Sequence, residues 1–305
     1  MIPGFENLSG TRYFGETLAL ASGFVWALAV ILFRVSGRQV HPLGLNFFKN
    51  VFALPLVVLT LLVLGQPVFV AGSGRDDLVL LVSGFLGIAV SDTLFLWSLN
   101  LLGAALVAIV ETFYSPFVIG LSVLYLGERM TLSQLGGVGL IVLAVLVIAR
   151  EDHTGTVSRR NLRLGIVLGI LAMLFVAVGI VMIKPLLARV SLIRATGVRL
   201  VGGAVPLGFV LLAHPRRREI LRPLLVPANW KALAPGSILG AYISLIIWLG
   251  GMRYTLVSVA AALNQLNTIF IFILAAVFLR EKITRSKIAA VVLAFIGAFL
   301  ASTPF

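Results

Sequence analysis

The sequence predicts an all-α integral membrane protein of ten transmembrane helices arranged as two inverted five-helix repeats. Three observations carry this: the scarcity of charge, the spacing of apolar runs and a co-linear internal repeat. Of 305 residues, 60% are hydrophobic and 11% charged, and the mean hydropathy is +1.11. A soluble domain carries roughly 25% charged residues, so this chain cannot coat a water-facing surface. A lipid bilayer is the solvent it suits. Long unbroken apolar runs exclude the alternating strands of a membrane barrel, and a spanning backbone must then satisfy its own polar groups as helix.

The first half contains apolar runs at Gly15–Arg34, Leu43–Leu64, Leu78–Leu101, Ala104–Leu126 and Leu132–Ile148. The second contains Leu164–Ile183, Ile193–Ala213, Leu233–Gly251, Leu256–Leu279 and Ile288–Ser302. Residues 1–150 form the first repeat, 151–163 a solvated linker and 164–305 the second repeat. Glu6, Arg12 and Glu16 precede the apolar core of the first run, Leu18 to Phe33, and no small-residue cleavage site follows it, so it reads as a retained span rather than a cleaved signal. Small residues, as in Gly136-Gly137-Val138-Gly139, let helices approach closely in lipid.

The halves match each other in order. Tyr125-Leu-Gly-Glu-Arg-Met-Thr131 recurs as Phe278-Leu-Arg-Glu-Lys-Ile-Thr284, an offset of about 153. Upstream, Val107-Ala108 falls on Ala260-Ala261, Glu111 on Asn264, and Trp97 on Trp248 after a shift of two residues. Earlier, at an offset of about 150, Gly15 falls on Gly165, Arg34 on Lys184 and Lys49 on Arg199. A unit with an odd number of spans ends on the opposite side from its start, so its copy enters the membrane upside down. That is the inverted-repeat plan of secondary transporters, with the binding site between the copies.

These motifs resemble the drug/metabolite transporter superfamily, specifically its ten-helix type with two tandem EamA domains. The resemblance rests on Gly127-Glu128-Arg129-Met130-Thr131, Gln134 and Gly139-Leu140-Ile141, and on Arg280-Glu281-Lys282-Ile283-Thr284. It covers nearly the whole chain. The second copy departs from the first where Ser286-Lys287 replaces Ser133-Gln134 and Ala289-Ala290 replaces Gly136-Gly137, which puts tight packing of the tenth span in question. The resemblance implies transport of a small solute, often export of an amino acid or related metabolite, from a central cavity in the cell membrane. The loop motif reads as structural: Thr131 caps the next helix and Glu128 pairs with a nearby base.

Ionisable groups within apolar runs mark functional sites or buried pairs. Four stand out: Lys49, Asp92, Glu111 and Arg199. Lys49 pairing with a carboxylate is one reading. Glu111 or Asp92 binding a substrate ammonium or a coupling proton is the other. No acid of the second half sits at the equivalent place. Glu111, Thr112, Ser115 and Ile119 share a face at about 100° per residue, and Pro116 frees the Thr112 carbonyl and kinks the helix. The matching stretch Asn264-Gln265-Leu266-Asn267-Thr268 is polar too and could either glue helices or bind a zwitterion. Trp26, Trp97, Tyr114, Tyr242 and Trp248 are candidates for aromatic walls, with membrane-interface anchoring as the alternative.

The net charge of +13 does not imply a nucleic-acid partner, because the basic residues cluster between apolar runs. Loops on one side hold Arg34 and Arg38, then Arg150, Arg159, Arg160 and Arg163, then Arg216, Arg217, Arg218, Arg222 and Lys231, and finally Arg280, Lys282, Arg285 and Lys287. The other side holds only Arg12, Arg75, Arg129, Lys184, Arg189, Arg194 and Arg253, so the rule that positive loops stay inside places both termini outside. Cysteine is absent, which excludes disulfides and thiolate chemistry, and His41, His153 and His214 fall in predicted loops. No metal or cofactor is expected. No phosphate-binding loop appears, so the energy source is an ion gradient or the solute's own gradient. A channel or facilitator is the nearest alternative. A membrane-embedded enzyme would need clustered His, Asp or Cys residues, and none is visible. The sequence leaves the oligomeric state open.

Overall fold

A computed structural model describes residues 13–67, 74–126, 131–150, 158–255, 260 and 263–301. Glu128, Arg129 and His153 lie outside these, as do residues 256–259 of the ninth run. Among the described residues every regular element is helical. The first half comprises α1 (Phe14–Ser36), α2 (Pro42–Val63), α3 (Gly74–Leu102), α4 (Ala104–Glu111), α5 (Tyr114–Leu126) and α6 (Leu132–Arg150). The second comprises α7 (Arg159–Leu187), α8 (Leu192–Ala213), the short α9 (Arg217–Leu221), α10 (Pro227–Tyr254), α11 (Asn267–Phe278) and α12 (Arg285–Ala301). Eight of the expected spans are long and apolar enough to cross a membrane. The ninth and tenth contain the shorter helices α11, of 12 residues, and α12, of 17.

Helix α7 begins at Arg159, inside the expected linker, because the Ser158 hydroxyl accepts the Asn161 N–H at 3.2 Å and caps it. Thr131 caps α6 by accepting the Gln134 N–H at 3.2 Å, while the Gln134 side chain accepts the Thr131 N–H at 3.0 Å. This reciprocal pair is a capping box. Its repeat mate Thr284 accepts the Lys287 N–H in the same way at 3.2 Å.

The halves embrace each other. The first helix of each half, α1 or α7, packs antiparallel on the third span of the other half, α10 or α3. The contacts repeat pair by pair. Gly15 meets Tyr254 and Thr255, and Gly165 meets Leu101 and Leu102. Gly251 meets Ala19, and Gly169 meets Ser98. Gly240 meets Ala29, and Gly179 meets Gly87. Even an inter-helix hydrogen bond recurs: Ser91 donates to the Ala172 carbonyl at 2.8 Å, and Ser244 to the Ser22 carbonyl at 3.3 Å. Exchanging the halves exchanges the contacts, as a pseudo-two-fold axis between inverted copies requires. Helices α2 and α8 pair across this axis, as do α6 and α12. The tenth span, whose tight packing the replacements put in question, packs closely. Gly297 and Ala301 of α12 supply the small surface facing Gly137, where an added Cβ would lie 2.5 Å from the Gly297 carbonyl oxygen.

Two irregularities also obey the repeat; of these the sequence led only to the kink at Thr112, before Pro116. Residues Phe85–Val90 of α3 and Ile238–Ser244 of α10 form π-helical turns at equivalent positions. Such turns put backbone carbonyls out of α-helical register. Asn46 of α2 supplies a partner in the first half, donating to the Ile88 carbonyl at 2.8 Å and the Ala89 carbonyl at 3.3 Å. The second irregularity is the junction of α4 and α5 at Thr112–Phe113, matched by a turn at Gln265–Leu266 before α11. The Ser115 N–H bonds the Thr112 carbonyl at 3.3 Å, and the Thr268 N–H bonds the Gln265 carbonyl at 3.1 Å. Pro116 therefore does not account for the break by itself, since the second copy breaks without a proline.

Candidate functional site

Residues of the π turns and at the two helix breaks together line a cavity of about 130 Å³. Its lining follows the repeat. Lys49 and Arg199, Gly87 and Gly240, Ile88 and Ala241, Ser91 and Ser244, Asp92 and Leu245, Phe95 and Trp248, Glu111 and Asn264, and Tyr114 and Asn267 all contribute. Each of these is a pair of equivalent positions from the two halves, at an offset of about 150 to 153. The first helices add Trp26 and Val176, another equivalent pair. The cavity therefore lies on the pseudo-axis. Its shape is near-symmetric and its chemistry is not, because both acids come from the first half.

Lys49 and Asp92 form an ion pair at 2.6 Å, with side chains 5% and 19% exposed. Lys49 also donates to the Asn50 side-chain oxygen at 3.3 Å, and Asn50 in turn donates to the Asn46 carbonyl at 2.8 Å. Lys49 thus has the carboxylate partner that one sequence reading expected. Arg199 is 1% exposed, and its Nε and Nη1 have no hydrogen-bond partner among the described residues. It reaches the cavity across Gly87, where an added Cβ would lie 3.1 Å from Nη2.

Glu111 ends α4. The Trp26 indole N–H donates to its Oε1 at 2.9 Å, and its Oε2 is buried without a partner. Tyr114 begins α5; its hydroxyl and the Trp248 indole N–H are likewise buried and unpartnered. The two rings lie 6.4 Å apart. Asn264 accepts from the Ser22 hydroxyl at 3.2 Å, and Asn267 from the Thr268 hydroxyl at 3.2 Å.

Nine of the twelve residues singled out by sequence line this cavity: Trp26, Lys49, Asp92, Glu111, Tyr114, Arg199, Trp248, Asn264 and Asn267. Three do not. Ser115 is buried and accepts from the side chain of Gln265, in the turn before α11, at 2.7 Å. The expected face of Glu111, Thr112, Ser115 and Ile119 is broken at Thr112–Phe113, because two non-helical residues shift the 100° register. Tyr242 hydrogen-bonds Thr60 through its hydroxyl, tying α10 to α2. Trp97 is 40% exposed and packs edge-on against His41, with ring centroids 5.6 Å apart. The residue equivalent to Trp248 is Phe95, which does line the cavity. An ungapped offset of about 153 selects Phe95 without shifting the alignment. Asn50, Ser91 and Ser244 also line the cavity and were not singled out.

Comparison with known proteins agrees with this architecture. Residues 13–150 and 163–303 each match the EamA-like transporter family. A curated relative from Archaeoglobus fulgidus, described as an uncharacterized transporter, is 43% identical over 54 residues, which is 18% of this chain and 20% of that protein. The chain thus spans about a fifth of the length of the curated relative it matches. A solved crystal structure shares the fold with a TM-score of 0.70 at 17% identity, covering 95% of this chain and 97% of the other. With a family match to both halves, helices that span a membrane and a repeat whose contacts exchange, this chain belongs to the EamA-like transporter family of the drug/metabolite transporter superfamily and is a multi-pass integral membrane protein.

Proposed function

We propose that the protein is a secondary transporter that exports a small organic solute, of the amino-acid or related-metabolite class, by alternating access. Residues 1–150 and 164–305 are the two moving repeats, joined by the linker 151–163, whose last five residues already belong to α7, and both termini face outward. The observation that carries this reading is the central cavity. It is lined by equivalent positions of both halves and contains buried polar atoms without protein partners. Rocking one repeat against the other opens such a site to either side in turn. The Glu111 carboxylate, held by Trp26 on one oxygen only, is the proposed seat of a coupling proton or of a solute donor group.

The test is solute counterflow in proteoliposomes of the full-length chain, screened against a panel of labelled amino acids and related acids and amines. A carrier gives saturable flux that is stimulated by unlabelled solute on the opposite side. Flux without counterflow points to a channel, and absence of all flux with turnover of a lipid rejects the transporter reading.

A further inference from the structure

Among the described residues, six buried side-chain atoms lack a hydrogen-bond partner, and five of them belong to residues lining the central cavity. Their chemistry is uneven. Arg199 Nε, Arg199 Nη1 and Trp248 Nε1 can only donate, and the Tyr114 hydroxyl can donate or accept. The one remaining atom, Glu111 Oε2, is the only carboxylate oxygen of the five. Buried donors are normally satisfied, so such a set among the residues lining a cavity calls for an acceptor from outside the protein. The other cation of the cavity is already engaged, since Lys49 contacts Asp92 at 2.6 Å. Arg199 lies within electrostatic reach of Asp92 and Tyr114 but makes no salt bridge with either.

Resting on the reading of this cavity as the solute site, we propose that the solute is a monocarboxylate. Its anionic oxygens are taken by Arg199, Tyr114 and Trp248, and its donor group, where it has one, meets Glu111. Arg199, Tyr114 and Trp248 come from three different helices, α8, α5 and α10. The second repeat therefore supplies two of the three groups that hold the anion, while the first repeat supplies Glu111. This division gives the near-symmetric cavity a polarity, with an anion end and a donor end. Among the described residues lining the cavity, Arg199 is the one cation without a salt bridge, which limits the solute to one carboxylate, because a second would meet no unengaged cation.

The experiment is isothermal titration of the purified full-length protein with two matched trios. The first is 3-phenylpropionate, phenylalanine and phenethylamine; the second is 4-methylpentanoate, leucine and isoamylamine. In at least one trio both carboxylates bind at least tenfold tighter than the amine. Tyr114→Phe keeps the ring and weakens the carboxylates by about fivefold, the factor expected for one hydrogen bond. Arg199→Gln abolishes their binding, and Arg199→Lys restores part of it. The Tyr114→Phe arm keeps the test decisive if an Arg199 variant fails to fold. An amine that binds as tightly as the acids, no saturable binding of any carboxylate, or an unchanged affinity in Tyr114→Phe overturns the assignment. The transporter reading fails separately. Carboxylate binding without flux removes the carrier and keeps the anion site, whereas counterflow of an amine keeps the carrier and removes the anion site.

Discussion

The carboxylate of Glu281, from the second half, accepts the backbone N–H of Ala104 at 2.9 Å, in the first half, and that of Ala105 at 3.0 Å. It caps the N-terminus of α4 across the repeat boundary. Arg34 completes the junction by donating to the Leu99 and Asn100 carbonyls at 3.1 and 3.0 Å, at the C-terminal end of α3. An anion at a helix start and a cation at a helix end both oppose the macrodipole. Between them Gly103 turns the chain at φ 86°, and an added Cβ would lie 2.9 Å from Glu281 Oε1. Glu281→Ala is expected to destabilise the protein by about 2 kcal/mol, and Glu281→Gln by about half of that. Melting temperatures in detergent check this; equal melting of Glu281→Ala and wild type would refute it.

Lys49 and Asp92 pose a different question, because the pair both orients α2 against α3 and faces the cavity. Asp92→Asn leaves a buried ammonium without its carboxylate and is expected to cost about 3 kcal/mol. The double variant Lys49→Met/Asp92→Leu removes both charges and recovers most of that loss. A structural pair then retains flux in the double variant. A folded double variant without flux assigns the Lys49–Asp92 pair to solute or ion handling.

Glu111 has one partner, and that partner is removable. Trp26→Phe deletes the indole donor and leaves both carboxylate oxygens without protein partners. Glu111→Gln keeps the shape and removes the charge. Glu111→Gln is expected to lower counterflow at least about tenfold while the melting temperature stays within a few degrees, a separation typical of an interaction used in function rather than folding. Wild-type flux in that variant would exclude Glu111 from the mechanism.

His41 sits before α2, outside the membrane-spanning segments, and its Nδ1 accepts the Leu43 N–H at 3.3 Å. Burial, and then the neighbouring charge of His214, push its pKa below the ordinary 6.5. The folded state therefore favours neutral imidazole. The stability this contributes is complete above pH 6.5 and is lost as the pH falls through the lower folded value. Histidine NMR titration is expected to give His41 a midpoint below 6.5 that rises in His214→Gln. A midpoint at or above 6.5 contradicts this.

The repeat and the membrane-spanning helices could be read from residue types alone, because hydropathy and a long-range offset are one-dimensional signals. Lys49, Asp92, Glu111 and Arg199 stood out for the same reason: charge inside an apolar run is conspicuous wherever the chain folds. What could not be read was register. Nothing in Phe85–Val90 announces a π turn, yet that turn and its mate aim Ser91 and Ser244 inward. Trp97 looked like a repeat mate because tryptophan is rare, whereas the geometry pairs Trp248 with the plainer Phe95. Ser115 was misplaced by assuming that helical periodicity ran unbroken through Thr112 and Phe113. The partners of Arg34 and Glu281 are backbone groups, which no side-chain motif can name.

The cysteine-free chain permits a direct test of a central site reached from both sides. Ala241 lines the cavity at 4% exposure, and a cysteine there adds only one sulfur atom. Ala241→Cys, placed in the wild-type background and reconstituted in sealed vesicles, is treated with a membrane-impermeant thiol reagent added to one face and then, in a second sample, to the other. Alternating access around the pseudo-axis predicts modification from both faces, slowed in each case by a transported solute. Modification from one face only, whatever the solute or gradient, would contradict it.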